Sequence, residues 1–122
     1  MTRARRQTGL LGEEKARAAL CRAGYRILAH NYRCRYGEID VVAEEGEILV
    51  FIEVKTRRSA SHGDPAQAVT RRKQHRIART ALQYMAANHM LERRARFDVV
   101  TLMAEPGGWR IKIIRDAFQV ER

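Results

Sequence analysis

Residues Gly37–Thr56 read GEIDVVAEEGEILVFIEVKT, and this stretch decides the fold. Apolar residues recur with a period of two on both sides of the Glu45-Gly46 dipeptide, which is typical of two β-strands joined by a tight turn. With this dipeptide as the loop, Glu44 faces Glu47 and one face of the hairpin is wholly aliphatic. That face consists of Ile39, Val41, Ala43, Ile48, Val50 and Ile52. A slip by one residue would scatter this set, which favours the pairing.

The opposite face of the predicted hairpin carries charges among apolar side chains. Asp40 is expected opposite Phe51 and diagonal to Glu53, at a backbone distance of ~7–8 Å that lets two carboxylates share one cation. Lys55 projects from the same face as Glu53 because the two are separated by one residue. Ordinary charges on a solvated edge are the alternative. The apolar neighbours favour a buried site, where unpaired charge is heavily penalised.

These residue types suit phosphodiester hydrolysis with a divalent metal. Mg²⁺ takes hard oxygen ligands, and it shields the diester and activates water. Asp40 and Glu53 are predicted to bind Mg²⁺ or Mn²⁺, with the backbone carbonyl of Val54 as a further ligand. Lys55 is predicted to orient or deprotonate water, or to stabilise charge on the phosphoryl oxygens.

The remaining segments predict two helices and two further strands. Apolar periodicity marks helices over about Thr8–Ala23 and Thr70–Asn88, and strands over Phe97–Met103 and Trp109–Ile114. A short extended stretch is expected over Tyr25–Leu28, followed by a loop. The order α-β-β-α-β-β indicates an α/β or α+β domain with a mixed sheet flanked by helices.

A cluster of cations opens the second predicted helix. Cations at a helix N-terminus oppose the macrodipole, so this placement favours binding of phosphates over a simple solvated face, which is the alternative. Arg57 and Arg58 are expected at the rim of the same site, and Gln67 is expected to touch substrate or metal. The predicted nucleic-acid contacts on the helix are Arg71, Arg72, Lys73, Arg76 and Arg79.

Two further acidic residues have distinct interpretations. Glu13 lies on the apolar stripe of the first helix, where an acid needs a partner or a cation. The alternative is an acid that the helix dipole favours in the first turns. Asp98 begins a predicted strand and is interpreted as structural.

Four segments together are similar to a known family. Gly12-Glu13, Gly37–Asp40, Phe51–Arg57 and Arg96–Val100 resemble the YraN-like family of uncharacterised bacterial proteins. That family is similar to archaeal Holliday junction resolvases within the PD-(D/E)XK nuclease superfamily. The resemblance runs from about Gly9 to Val100, although Ile39 stands where the superfamily motif has Pro.

The resemblance implies a restriction-endonuclease-like core and a set of site residues. It implies metal binding by Asp40 and Glu53, a catalytic role for Lys55, and a Glu13 that reaches the site as a catalytic and metal-binding residue. It also implies that the protein acts as a homodimer, as structure-selective relatives do.

Composition limits the class of protein. The 122 residues are about one domain, predicted to span 1–122 with a flexible basic arm over 1–8. The net charge of +10 favours polyanionic partners. No apolar run approaches the ~20 residues of a membrane span, and no secretory signal follows Arg6, so a cytoplasmic location is expected. The two cysteines lack the spacing of a zinc site.

The sequence therefore predicts a magnesium-dependent endonuclease that acts on DNA, by structure such as a branch or junction rather than by base sequence. No residues are spare for a base-reading domain. The alternative is a non-catalytic DNA- or RNA-binding module that retains the nuclease fold. A membrane-surface protein is disfavoured, because the basic helix lacks an apolar face with aromatic residues.

Overall fold

The computed structural model describes residues 3–57 and 69–120, which form two helices and five strands. The α+β fold with a mixed sheet flanked by helices is confirmed. In chain order the elements are α1 Arg3–Arg22, β1 Arg26–Cys34, β2 Gly37–Glu45, β3 Ile48–Arg57, α2 Arg71–Ala87, β4 Ala95–Glu105 and β5 Gly108–Phe118.

Strand β1 is longer than the short stretch that the sequence predicts, and it adds a third strand before α2. It lies at the edge of the sheet, and its pairing with β2 shifts between Ile27 and Ala29. Asn31 has a positive φ of 53°. These irregularities interrupt the two-residue period, so the alternation that identifies a strand is absent.

The helices also differ from their predicted bounds to different degrees. Helix α1 begins at Arg3, so it includes most of the residues predicted as a basic arm. Helix α2 matches its prediction closely because Thr70 caps its start and Asn88 caps its end. Neither helix within residues 3–57 and 69–120 has the length and apolar character that a bilayer crossing requires.

The sheet has the order β1-β2-β3-β4-β5 and only β3 and β4 pair in parallel among these strands. Helix α2 provides the crossover between the two parallel strands, as a parallel connection requires. The other neighbours are antiparallel. Strand β3 is therefore central, and side chains on both of its faces are covered.

The register predicted for the β2–β3 hairpin is wrong by two residues. Val41 pairs with Ile52, and Glu45 pairs with Ile48, so the turn is Gly46-Glu47 rather than Glu45-Gly46. Gly46 has a φ of 60°, a conformation that glycine adopts without steric cost. A slip by two keeps each side chain on its predicted face, because the strand period is two. The shifted pairing ends at Val41 and Ile52, one residue short of Asp40 and Glu53, so these two acids are not diagonal partners within the ladder.

The hydrophobic core has two parts, one on each face of the sheet. The part under α1 comprises Ala16, Leu20, Tyr25, Val41, Ala43, Val50, Ile52, Val100 and Leu102. The part under α2 comprises Ile39, Val42, Leu49, Phe51, Val69, Ile77, Ala81, Tyr84, Met85, Val99 and Phe118. Ile39 belongs to the second part, not to the aliphatic face that the sequence predicts, so strict alternation ends between Ile39 and Val41.

Helix α1 approaches β3 closely at Gly12. A Cβ atom there would lie 2.7 Å from the Thr56 Oγ1, which is below any normal contact distance. The absent side chain at Gly12 lets the helix lie directly on the end of β3 that carries Lys55. Glu13 is thereby held on the turn of α1 next to this strand.

Candidate active site

The hairpin opens at Asp40. Paired residues of β2 and β3 end at Val41 and Ile52, and the Asp40 side chain contacts the next part of β3 instead. The Val54 backbone N–H donates a 2.7 Å hydrogen bond to Asp40 Oδ2. Where β2 and β3 separate, the Asp40 carboxylate accepts from the Val54 N–H in place of a backbone carbonyl. The space between the two strands at this point is available for a site.

Glu53 is the buried acid of this space, with a relative exposure of 7%. Two ammonium groups surround its Oε1 atom. Lys55 Nζ lies 3.4 Å away on the same strand, and Lys73 Nζ, from the first turn of α2, donates a hydrogen bond to the same oxygen. The arrangement is a carboxylate between two lysines, beside a second carboxylate.

Burial and neighbouring charge shift the pKa values of the site. Burial, followed by the charge of Glu53, raises the pKa of Asp40 to about 7, against the opposing hydrogen bond from Val54. Burial, together with the neighbouring ammonium of Lys73, lowers the pKa of Lys55. For Lys73, burial lowers the pKa, but its hydrogen bonds and the charges of Glu53 and Asp40 together outweigh burial, so the net shift is upward. These opposite shifts are typical of functional sites.

The charged groups border a cavity of about 210 Å³. It lies between the start of β2, the end of β3 and the first two turns of α2. Its lining residues are Gly37, Glu38, Asp40, Glu53, Lys73, Arg76 and Ile77. The cavity is large enough for several waters or for one phosphate group, and it exposes both acids and bases to a ligand.

The predicted catalytic residues come together in part. Asp40 and Glu53 line this cavity, and Lys55 contacts Glu53 without lining the cavity itself. Glu13 lies close enough for its charge to raise the pKa of Asp40, although it does not line the cavity. The Val54 N–H is engaged with Asp40, and a metal-binding role for its carbonyl stays a prediction. Within residues 3–57 and 69–120, no three His, Cys, Asp or Glu side chains form a group that could hold a metal ion.

The predicted nucleic-acid contacts do not form one surface. Lys73 and Arg76 line the cavity, whereas Arg71 and Arg72 are exposed on the first turn of α2. The guanidinium of Arg79 lies 4.4 Å from the centre of the Tyr36 ring. Half-buried Arg57 ends β3 beside the site. Arg58 and Gln67 lie outside the described residues.

Sequence reasoning missed the position of Lys73. It was expected among the cations of α2 that bind phosphates of the nucleic acid, but its ammonium contacts Glu53 inside the site. A signal for this was present, since a cation in the first turn of a helix opposes the macrodipole and needs an anionic partner. Only the tertiary structure identifies Glu53 as that partner.

The raised pKa of Asp40 predicts a specific pH dependence of stability. Its folded-state value of about 7 exceeds its ordinary value of 3.8, so the neutral carboxyl favours the folded state. This contribution is full below about pH 4 and is lost as the pH rises through about 7. Asp40→Asn keeps an acceptor for Val54. Relative to wild type, the metal-free variant should gain on the order of 2 kcal/mol between pH 5 and 8.

Urea unfolding followed by circular dichroism at both pH values measures this difference. Glu105→Gln is the matched control, since Glu105 is an exposed acid at the β4–β5 turn. Parallel pH profiles for wild type and Asp40→Asn would show that Asp40 is ionised as easily in the folded chain as in the unfolded one.

Comparisons with known proteins identify close relatives in several bacteria. The chain is 50% identical to a UPF0102 protein of Syntrophus aciditrophicus over 93% of this chain and 90% of that protein. It is 47% identical to a UPF0102 protein of Geobacter sulfurreducens over 92% of this chain and 88% of that protein. The similarity thus extends over nearly the full length of both relatives.

Among solved structures, the chain is similar to SfsA of Pyrococcus furiosus, determined in complex with Ca²⁺. The TM-score is 0.34 and the sequence identity is 15%. The match covers 90% of this chain and spans 62% of the SfsA chain.

A model of the uncharacterised protein family UPF0102 matches residues 12–102, which include both acids, both lysines of the site and all of α2. This match confirms the YraN-like resemblance that the four sequence segments indicate. The chain therefore belongs to the uncharacterised protein family UPF0102.

Proposed function

We propose that this protein is a metal-dependent endonuclease that hydrolyses phosphodiester bonds in DNA, with selectivity for branched or junction structures. The observation that carries the proposal is the convergence of Asp40, Glu53 and Lys55 where β2 and β3 separate. Two carboxylates and an ammonium at an open cavity match the requirements of phosphodiester hydrolysis.

The residues at the cavity fit a divalent cation. Asp40 is half-buried beside Glu53, and the mutual repulsion that raises the pKa of Asp40 would be relieved by a cation between them. Both supply the hard oxygen ligands that Mg²⁺ and Mn²⁺ take, often with only one or two carboxylates. The Val54 carbonyl and Glu13 are proposed as additional ligands. A bound divalent cation shields the diester charge and activates water.

The bases of the site have separate proposed roles. Lys55 is held near Glu53, and burial lowers its pKa, so a larger fraction of its amine is neutral and available as a general base toward water. In its charged form it stabilises negative charge that develops on the phosphoryl oxygens. Arg76 borders the cavity from α2 and is placed to bind the neighbouring phosphate.

The charge and size of the chain support DNA as the substrate and structure as the basis of selection. The net charge of +10 supports binding of the phosphate backbone irrespective of base sequence. The described residues form one sheet with two helices, and α2 contributes buried residues to the core and Lys73 and Arg76 to the cavity. A homodimer belongs to the proposal, since two copies could engage two strands of a junction.

One observation favours the alternative of a non-catalytic DNA- or RNA-binding module. Glu53 already contacts Lys55 and Lys73, so the charge of this carboxylate is balanced without a metal ion. In such a module the two lysines would hold the β3–α2 contact together, and the exposed arginines of α2 would bind nucleic acid.

A cleavage assay separates the two functions. Wild type and the Asp40→Asn/Glu53→Gln variant are incubated with linear, flapped and four-way DNA, and with matching RNA, in Mg²⁺ or Mn²⁺. We expect wild type to cut branched DNA and the variant to bind the same DNA without cutting it. If wild type and the variant bind every substrate equally and wild type cleaves none of them, the binding module would be favoured.

The basic residues of α2 predict a salt dependence of DNA binding. Changing exposed Arg72 and cavity-lining Arg76 to Ala should lower the magnitude of the slope of log affinity against log salt by about 1–2. The reason is that DNA binding releases about one counterion for each phosphate contact, so fewer contacts release fewer counterions. Fluorescence anisotropy between low and moderate salt measures the slope.

The control is the pair Arg22→Ala and Arg94→Ala, because both are exposed arginines away from the cavity. Arg94 lies beside Leu49, at the opposite end of β3 from Lys55. An unchanged slope for the α2 variant would mean that this helix presents a solvated face only.

A further inference from the structure

We propose that Lys73 occupies the cation position of the carboxylate pair in the metal-free protein, and that a divalent ion displaces it toward the substrate phosphate. The inference rests on the proposed function, because it names a second ammonium group for the same site. It assigns Lys73 a role different from that of the exposed arginines on its helix.

The contacts of Lys73 place it inside the site. Its Nζ donates a hydrogen bond to Glu53 Oε1, and the charges of Glu53 and Asp40 both stabilise its ammonium form. The side chain lines the cavity together with both acids and is one-third exposed, so it faces both the carboxylates and the space for a ligand.

A divalent ion and Lys73 compete for the same oxygen. Glu53 is buried and its Oε1 already receives both lysines, so a third cation on this carboxylate adds repulsion between like charges. Lys55 lies on β3 beside Glu53 and is 22% exposed, whereas Lys73 reaches the acid from α2 and is 33% exposed. Lys73 is therefore the group that yields when a metal ion binds.

The backbone of Lys73 stays in place during this exchange. Its N–H donates a 3.2 Å hydrogen bond to the Thr70 side chain, which caps the helix. Only the side chain needs to rotate. Because Lys73 lies near the positive end of the α2 dipole, its displaced ammonium is unfavourable unless it contacts an anion. A substrate phosphate in the cavity, beside Arg76, supplies that anion.

The experiment is calorimetric titration of the metal-free protein with Mn²⁺ and with Mg²⁺. Lys73→Met keeps most of the stem and removes the ammonium, and Lys73→Gln is a second variant in case the first does not fold. Metal binding should tighten on the order of tenfold in both, since a charge-assisted hydrogen bond no longer has to be broken. Lys112→Met, which removes an exposed lysine from β5, should stay within about twofold of wild type.

DNA binding gives a second, independent readout. Without metal, Lys73 is engaged with Glu53, so Lys73→Met should bind branched DNA about as well as wild type. With Ca²⁺, which takes oxygen ligands, the variant should bind several-fold more weakly, because the released ammonium contacts a phosphate only in wild type.

The outcomes separate this inference from the proposed function. Metal binding by wild type with equal or weaker binding by the Lys73 variants would overturn the displacement and leave the nuclease proposal standing. Metal binding by the Lys73 variants, with no measurable binding by wild type, would support the displacement of Lys73. No metal binding by any of the proteins would overturn both proposals.

Discussion

Lys55→Met is expected to reduce DNA cleavage by on the order of a hundredfold or more, the usual cost of losing one electrostatic contact to the transition state. The ammonium of Lys55 lies 3.4 Å from the carboxylate of Glu53, which lines the cavity. Its charge is most useful when negative charge develops on the phosphoryl group, so the loss should fall on the rate and not on binding. Methionine keeps the apolar stem, and the variant should fold normally.

Single-turnover cleavage of branched DNA measures the rate, and anisotropy without metal measures the affinity. Lys112→Met is the matched control, because it removes an exposed lysine from β5, two strands away from β3. If Lys55→Met weakens binding and cleavage by the same factor, Lys55 is a phosphate contact of the ground state and not a catalytic group.

Asp98→Ala is expected to destabilise the protein by about 3–5 kcal/mol, the range measured when one partner of a buried ion pair is removed. Asp98 is fully buried and forms a network of four hydrogen bonds. Tyr25 Oη donates to it at 2.7 Å, Arg96 donates from Nε at 2.8 Å and from Nη2 at 3.0 Å, and the Asp116 N–H donates at 2.9 Å.

The network also fixes the irregular end of the β4–β5 pair. Between Phe97 and Val99 the register shifts, and Asp116 adopts a positive φ of 52° opposite this shift. Alanine at position 98 would leave the Asp116 N–H without its acceptor and would leave the half-buried guanidinium of Arg96 with fewer partners. The loss is large against a total stability of about 5–15 kcal/mol for a domain.

Urea unfolding at neutral pH measures the effect of Asp98→Ala. Asp116→Asn is the control, because Asp116 is exposed and asparagine tolerates the positive φ. We expect that control to lie within about 0.5 kcal/mol of wild type, as exposed substitutions usually do. A loss below about 1 kcal/mol for Asp98→Ala would contradict its structural role and would make a functional one worth testing.

The sequence determined those features that depend on local periodicity. The two-residue period of Gly37–Thr56 was sufficient to predict a hairpin with Asp40, Glu53 and Lys55 in one region. That prediction tolerated a register error, because a slip of two residues does not move a side chain to the other face, although Ile39 lies on the face opposite to its predicted one. Helix α2 was equally predictable, since Thr70 and Asn88 cap the apolar repeat at both ends.

Only the tertiary structure decided which charges meet. Asp40 accepts from the Val54 N–H because the strands separate there, and Glu53 contacts Lys73 across 20 positions of sequence. Strand β1 is a strand because it pairs with β2, although its own sequence lacks a regular alternation. Periodicity reports which face a side chain occupies, whereas partners distant in sequence depend on how the helices lie on the sheet. The carboxylate pair was therefore readable from one hairpin, and the lysine that neutralises it was not.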